Sequence, residues 1–272
     1  MAGSIRGLVV AVTGGGAGIG RRIAEHAARA GAIVAVGDRD EQSARDTASA
    51  LGASARGYPL DVTDEASFRG FLDAVAADLG PIDVLVNNAG VMWVGAFDTE
   101  PEQATEAMFA VNVLGVIRGV RLAAPRMRER GRGHIVTIAS AASKLAPPGE
   151  ASYAATKHAV AGYLTGVREE LHATGVQISM IMPGVVDTEL ASGTATGAAK
   201  LLSPDQVAQA VVKVIRAPRF VTTVPGYIGP LVAVSGLLPQ RIRDRLMRAM
   251  VPDQVAASAG ADRSDYQKRA LG

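Results

Sequence analysis

The chain of 272 residues has no cysteine, which excludes disulfides and thiol nucleophiles and fits a reducing, cytoplasmic setting. Aromatic residues make up only 4% of it, and the net charge is a mere +2. With basic residues scattered, few aromatics and no zinc or RNA-binding signature, nucleic acid is not an expected partner. Met1 to Arg6 runs straight toward a strand, so no secretory leader is expected, and there is no low-complexity tract or internal repeat. One stretch, Phe220 to Gln240, carries no charge and is long enough to span a bilayer. Pro225, Pro230, Pro239 and several glycines break it. A buried strand followed by a loop is expected there, and no transmembrane segment.

What the chain does have is 48% hydrophobic residues, enough to bury a large core as one α/β domain spanning 1–272. Short apolar runs alternate with helical patterns. Strands are predicted over Leu8 to Val12, Ala32 to Gly37, Arg56 to Leu60, Ile82 to Val86, His134 to Ala139, Val176 to Met182 and Phe220 to Val224. Helices are predicted over Gly18 to Ala30, Glu65 to Leu79 and Glu102 to Glu129, with another opening near Ser152. Alternation of this kind demands right-handed crossovers and a mostly parallel sheet covered on both faces. The expected fold is a three-layer, doubly wound Rossmann architecture with about seven strands.

Between the first strand and first helix lies Thr13-Gly14-Gly15-Gly16-Ala17-Gly18-Ile19-Gly20. Glycines permit backbone conformations and close approaches that a Cβ blocks, and the amides at the following helix N-terminus suit a diphosphate. The second strand ends at Asp38, placed where an acidic side chain meets an adenosine ribose. The alternative is an ordinary loop carboxylate. A ribose-facing Asp38 would repel a 2′-phosphate, which favours NAD over NADP, while the neighbouring Arg39 works against that preference.

The segment Ser140 to Lys157 joins a strand end to a helix start. Tyr153 and Lys157 are four residues apart, so on a helix they share a face. A free phenol titrates near 10, and an adjacent ammonium stabilises the phenolate. Lowering its pKa by roughly two to three units takes roughly 3–4 kcal/mol, within reach of a close, partly desolvated cation. Ser140 would come alongside at the turn and hold a substrate oxygen. Asn112 sits inside the long helical pattern, where its low propensity and its side-chain amide are out of place.

Taken together, Thr13-Gly14 with Gly18-Ile19-Gly20, Asn87-Asn88-Ala89-Gly90, Asn112, Ser140, Tyr153 with Lys157, and Pro183 to Thr188 resemble the short-chain dehydrogenase/reductase family in its compact single-domain branch. Ile19 stands where a strict G-x-G-x-x-G would have its third glycine, which agrees with this family's own spacing. The resemblance covers roughly 7 to 225. It implies a catalytic group of Asn112, Ser140, Tyr153 and Lys157. Tyr153 would be general acid or base, Lys157 would tune it and hold the nicotinamide ribose, and Ser140 would bond the carbonyl oxygen. Asn112 would fix a water that extends a proton relay. Gly14, Gly18, Ile19, Gly20, Asp38 and Arg39 would meet one end of the cofactor. Asp61 and Val62 would meet the adenine, Asn88, Ala89 and Gly90 its midsection, and Pro183, Gly184, Val186 and Thr188 the nicotinamide end. No metal is implied, and a homodimer or homotetramer is.

The implied function is hydride transfer between a nicotinamide cofactor and the carbonyl or secondary alcohol of a small molecule. A non-catalytic dinucleotide sensor or scaffold is the alternative, and an intact catalytic group argues against it. Epimerase or dehydratase relatives usually carry a larger carboxy-terminal domain. Residues 189–203, rich in Ala, Gly, Ser and Thr, read as a substrate lid. Trp93, Val94, Leu145, Val185, Leu190 and Leu201 are candidate apolar walls, with core packing or a subunit contact equally open for Trp93. They point to a hydrophobic substrate. Residues 226–272 form a C-terminal extension. In it, Pro239 to Met250 patterns as a helix with Ile242, Leu246, Ala249 and Met250 opposite Arg241, Arg245 and Arg248. Such a helix covers a pocket or neighbour, or else lies on a membrane surface. Val255 to Gly272 is polar and is expected to fray.

Overall fold

The computed structural model describes residues 3–197, 200–260 and 262–271. Seven strands form one parallel sheet: β1 (Val9–Thr13), β2 (Ile33–Asp38), β3 (Ala55–Pro59), β4 (Val84–Asn87), β5 (Gly133–Ile138), β6 (Val176–Pro183) and β7 (Val221–Val224), in the order β3-β2-β1-β4-β5-β6-β7. Each predicted strand is present, its ends shifted by up to two residues.

Every residue of β1 is buried. Val9 and Ala11 point to one core, Val10 and Val12 to the other, as the two-residue side-chain period of a strand covered on both faces requires. On the first face lie α3 (Glu65–Leu79), α5 (Val116–Glu129) and α6 (Ala151–Glu170), which contribute Phe68, Leu72, Val120, Met127 and Leu164. On the second lie α1 (Gly18–Arg29), α2 (Glu41–Leu51) and α7 (Pro204–Arg216), with Ile23, Ala27, Ala44, Val207 and Val211. Strand order reverses between β1 and β4. That reversal opens a crevice beyond the carboxyl ends of the strands, where open α/β sheets bind ligands.

Three expectations need correction. The long helix predicted over 102–129 is interrupted: α4 (Glu102–Phe109) passes through a π-helical turn, Ala110–Gly115, into α5. Asn112 is the cause that can be read in the structure. Fully buried, it bonds sideways, its Oδ1 accepting from the Val91 amide at 2.9 Å and its Nδ2 donating to the Val91 carbonyl at 2.8 Å. The uncharged stretch 220–240 holds β7 and a short helix, α8 (Ile228–Ser235), not a strand and a loop. Pro230 falls in the first turn of α8, where its missing N–H has no intrahelical partner to lose.

The third correction concerns the tail. Beyond α9 (Gln240–Met250), α10 (Gln254–Ser258) and α11 (Ser264–Leu271) are formed and docked, with Gln254, Arg263 and Leu271 buried. Asp253 caps α10 through the amides of Val255 and Ala256. Polarity misled here because the buried polar groups find partners on the body of the fold. Along α9, Met247 and Met250 face the crevice while Ile242 stays exposed, so the predicted apolar side is only partly the covered one. Among the described residues one helical run, Glu102–Glu129, is long and apolar enough to cross a bilayer by length and composition, and 56% of its most apolar portion is buried in the fold.

Candidate active site

The crevice is a cleft of about 760 Å³ that runs from the glycine turn to the start of α6. Its first end is shaped by backbone. Gly14 and Gly18 have φ of +62° and +51°, the left-handed region that glycine adopts without strain. A Cβ on Gly20 would lie 2.0 Å from the Gly14 carbonyl oxygen, so Gly20 fixes the packing of turn on helix although it does not line the cleft. Thr13 Oγ1 accepts from the amides of Asn88 and Ala89, both at 3.0 Å, and Asn88 Nδ2 donates to the carbonyls of Thr13 and Gly14. The two loops that flank the strand-order reversal are thereby tied together. The α1 N-terminus has no side-chain cap and no acidic residue in its first turn, leaving its amide dipoles free for an anion.

Asp38 closes that end. Its Oδ2 accepts from the Gly16 amide at 2.8 Å and its Oδ1 from the Asp40 amide at 3.1 Å. Arg39, next to it, donates to the main-chain carbonyl of Arg269 in α11. Asp61, whose Oδ1 accepts from the amide and hydroxyl of Thr63, lies with Val62 on the adjoining wall, and Gly90, Pro183, Gly184, Val186 and Thr188 continue it. Uncapped amides, left-handed glycines and a seated carboxylate in a row fit a dinucleotide, its diphosphate at α1 and an adenosine ribose at Asp38.

At the other end Tyr153 and Lys157 rise from α6 as their spacing predicts, 8% and 6% exposed. The ammonium lies 5.5 Å from the phenol ring centroid and donates to the Ile138 carbonyl at 3.3 Å. Ser140, at the β5 end, lines the same cleft, its Oγ accepting from the Ala142 amide at 3.1 Å. Burial pushes Lys157 down to about 8. The phenol, expected to fall, is instead held above its ordinary value, by burial first and the Glu150 charge second, while the Ser140 hydroxyl opposes both. Desolvation leads in both cases because the neutral forms of the two groups are the easier ones to bury.

Asn112 stands behind the wall. Its amide spans Val91 and, at 3.2 Å, the Thr156 hydroxyl, which locks the π-turn to α6 and leaves one Oδ1 lone pair free. A Cβ on Gly90 would sit 3.2 Å from Asn112 Oδ1 and 3.8 Å from Lys157 Nζ, so that glycine keeps open the gap between them.

Of the apolar walls expected from sequence, Leu145, Val185 and Leu190 line the cleft. Trp93 and Val94 are buried in a third cluster with Met108 and Leu271, and Leu201 is exposed on the outside. Sequence reasoning missed Glu150 and the whole contribution of the tail. Tyr266, Arg269 and Ala270 from α11, Met247 and Met250 from α9, and Tyr227 and Leu231 near α8 all face the cleft. Arg263 donates to the carbonyls of Leu190 at 2.9 Å, Ser192 and Met92. Gln254 exchanges two hydrogen bonds with the backbone of Ala195, and Arg269 pairs with Glu189. The tail therefore ties down the region read as a lid, of which residues 198 and 199 lie outside the described residues. No local pattern could have exposed these partners, since they lie 59 to 171 positions apart in the chain.

The model of the short chain dehydrogenase family matches residues 8–198 of this chain. The chain belongs to that family. The chain is 35% identical over 259 residues to the probable oxidoreductase EphD of Mycobacterium tuberculosis, covering 86% of its own length and 44% of that relative's, so it spans less than half of that protein. It is 30% identical over 245 residues to human 17-beta-hydroxysteroid dehydrogenase 13, covering 88% of its own length and 81% of the relative's. A solved short chain dehydrogenase/reductase from Burkholderia phymatum in complex with NAD superposes with a TM-score of 0.79 at 28% identity, over 92% of this chain and 98% of that one. A metagenomic short-chain oxidoreductase in complex with NADP gives 0.70 at 31% identity, over 81% and 96%. Both of those solved relatives hold a nicotinamide dinucleotide, and the crevice of this chain suits one.

Proposed function

We propose that this dehydrogenase interconverts a ketone and a secondary alcohol on a mainly apolar molecule, with NAD favoured over NADP. One observation carries the reading: Tyr153, Lys157 and Ser140 line the far end of the same cleft whose near end is the glycine turn with Asp38. When bound, a nicotinamide dinucleotide supplies or takes up the hydride. The chain's own groups handle the rest. Ser140 Oγ donates to the substrate oxygen as negative charge grows there. Tyr153 Oη gives its proton to that oxygen in reduction and removes it in oxidation. Lys157 holds ribose hydroxyls and offsets charge on the phenol. Asn112, through its free lone pair and the gap kept by Gly90, supports a water that returns protons from solvent.

The preference for NAD rests on Asp38, whose carboxylate would repel a 2′-phosphate. Binding of Arg39 to the tail weakens the rival pull of that cation. The apolar substrate is favoured by Leu145, Val185, Leu190, Leu231, Met247 and Met250 in the wall, and the naming of a relative for a hydroxysteroid agrees with it. Residues 189–203 act as a lid, here latched by the C-terminal extension. Exposed Leu114 at the π-turn and Phe109 beside it favour pairing of two copies across α5 and α6. A panel of ketones and secondary alcohols, read at the reduced nicotinamide band with each cofactor, tests the activity. Tyr153→Phe should cut turnover by about 10²- to 10⁴-fold and leave cofactor affinity within about threefold. Undiminished turnover in that variant removes Tyr153 from the chemistry.

A further inference from the structure

Glu150 has no part in the chemistry described so far, yet it is buried to 8% exposure in the wall of the substrate end. It occupies the cap position of α6 without capping: its side chain accepts from none of the helix amides. Its carboxylate has no hydrogen-bond partner and no ion pair among the described residues. Arg263 is the nearest countercharge, but its guanidinium is turned to the carbonyls of Leu190, Ser192 and Met92. A largely desolvated carboxylate without a protein partner is costly. The cost here is sharper, because the negative charge sits three residues before Tyr153 on the same helical face and works against ionisation of the phenol.

Tyr266 completes the picture from the other side. Its hydroxyl oxygen accepts from the Met92 amide at 3.0 Å, its ring lies 5.1 Å from the Arg263 guanidinium carbon, and its own proton has no acceptor among the described residues. The substrate end therefore presents an unengaged acceptor three residues before the proton-transfer group and an unengaged donor on α11, in a wall that is otherwise largely apolar.

We propose that Glu150 is a specificity-determining residue that accepts a hydrogen bond from a second hydroxyl on the substrate. The preferred substrate is then an apolar ketone or secondary alcohol that bears another hydroxyl within a few carbons of the reacting one, with Arg263 and Tyr266 holding the wall that faces it. This inference rests on the ketone–alcohol function proposed above. The side chain's own state agrees: burial raises Glu150 to about 7, only partly countered by Arg263. The charged and titratable groups coupled to it are Arg263 from the tail and Tyr153 from α6, and Tyr266 and the uncharged Gln254 of α10 line the same cleft. As pH rises through 7 the carboxylate form grows, and a charged acceptor binds a hydroxyl more tightly than a neutral one.

The test uses paired probes of the full-length protein: cyclohexanol against the cyclohexane-1,2- and 1,3-diols, and matching open-chain pairs of rising length, each with NAD and NADP. The better diol should exceed its mono-ol in kcat/KM by at least about tenfold at pH 8, the range of a hydrogen bond to a charged group. That ratio should fall toward pH 6. In Glu150→Leu it should drop to about one, and in Glu150→Gln it should stay between the two and lose its pH dependence. A ratio near one in the unaltered protein, or one that survives Glu150→Leu, overturns the proposal while leaving the ketone–alcohol activity intact. A fall of both probes together, at constant ratio, marks a merely structural role and overturns it too. Absence of turnover for every pair instead counts against the proposed function, and this inference goes with it.

Discussion

The two ends of the crevice are built by different means. The dinucleotide end is made of main chain: left-handed glycines, an uncapped helix start, and loops stitched by Thr13 and Asn88, all within the first ninety residues. The substrate end is made of side chains that reach over from the tail, such as Tyr266 to Met92 and Arg263 to Leu190. Backbone geometry of the first kind tolerates little change because a Cβ has nowhere to go. Side-chain bridges of the second kind can be exchanged for others with the sheet left intact. A family that keeps one cofactor chemistry and varies its substrates needs that division.

The sharpest way to break the comparison is Gly20→Ala. Its methyl would fall 2.0 Å from the Gly14 carbonyl and 2.5 Å from Asn88 Nδ2, a clash expected to cost roughly 1–3 kcal/mol of stability. Dinucleotide affinity measured by quenching or calorimetry should drop by about a hundredfold, since the turn cannot keep its shape. Retained affinity would mean that the turn is less constrained than its contacts imply.

A milder break is expected at the other end. Arg263→Met keeps much of the apolar stem and removes three hydrogen bonds, to the carbonyls of Leu190, Ser192 and Met92. The KM for a turned-over ketone should rise by about tenfold, and amide exchange across residues 189–195 should accelerate, with cofactor Kd within about twofold of the parent. A matching rise in cofactor Kd would erase the separation between the two ends.

Asp38→Ser sharpens the comparison within the cofactor end. Removing the carboxylate takes away the ribose acceptor and the repulsion of a 2′-phosphate. The ratio of kcat/KM with NAD to that with NADP should fall by about tenfold. A variant with the parent's ratio would show that Asp38 serves only the amides of Gly16 and Asp40.

Legibility followed the same division. The glycine turn, Asp38, Ser140, Tyr153 and Lys157 could be read because each depends on a neighbour a few residues away, and the alternation of β-branched runs with helical patterns announced the sheet. Asn112 was singled out for its poor helix propensity, but the π-turn it sits in was not foreseen, because its partners Val91 and Thr156 come from other elements. Glu150 looked like any polar residue at a helix start. The tail was misread as frayed since its polar composition says nothing about where Arg263 and Gln254 find acceptors.

The sequence by itself determined the doubly wound sheet, the glycine-rich turn and the paired Tyr153 and Lys157, because covalent spacing and backbone periodicity place those groups whatever the remainder of the chain does. Only the tertiary structure decided that Glu150 is buried, that burial holds the Tyr153 phenol above its ordinary value, and that α11 walls the far end of the crevice. Those outcomes depend on solvent exclusion and on contacts between distant segments, which exist only once the chain has closed on itself.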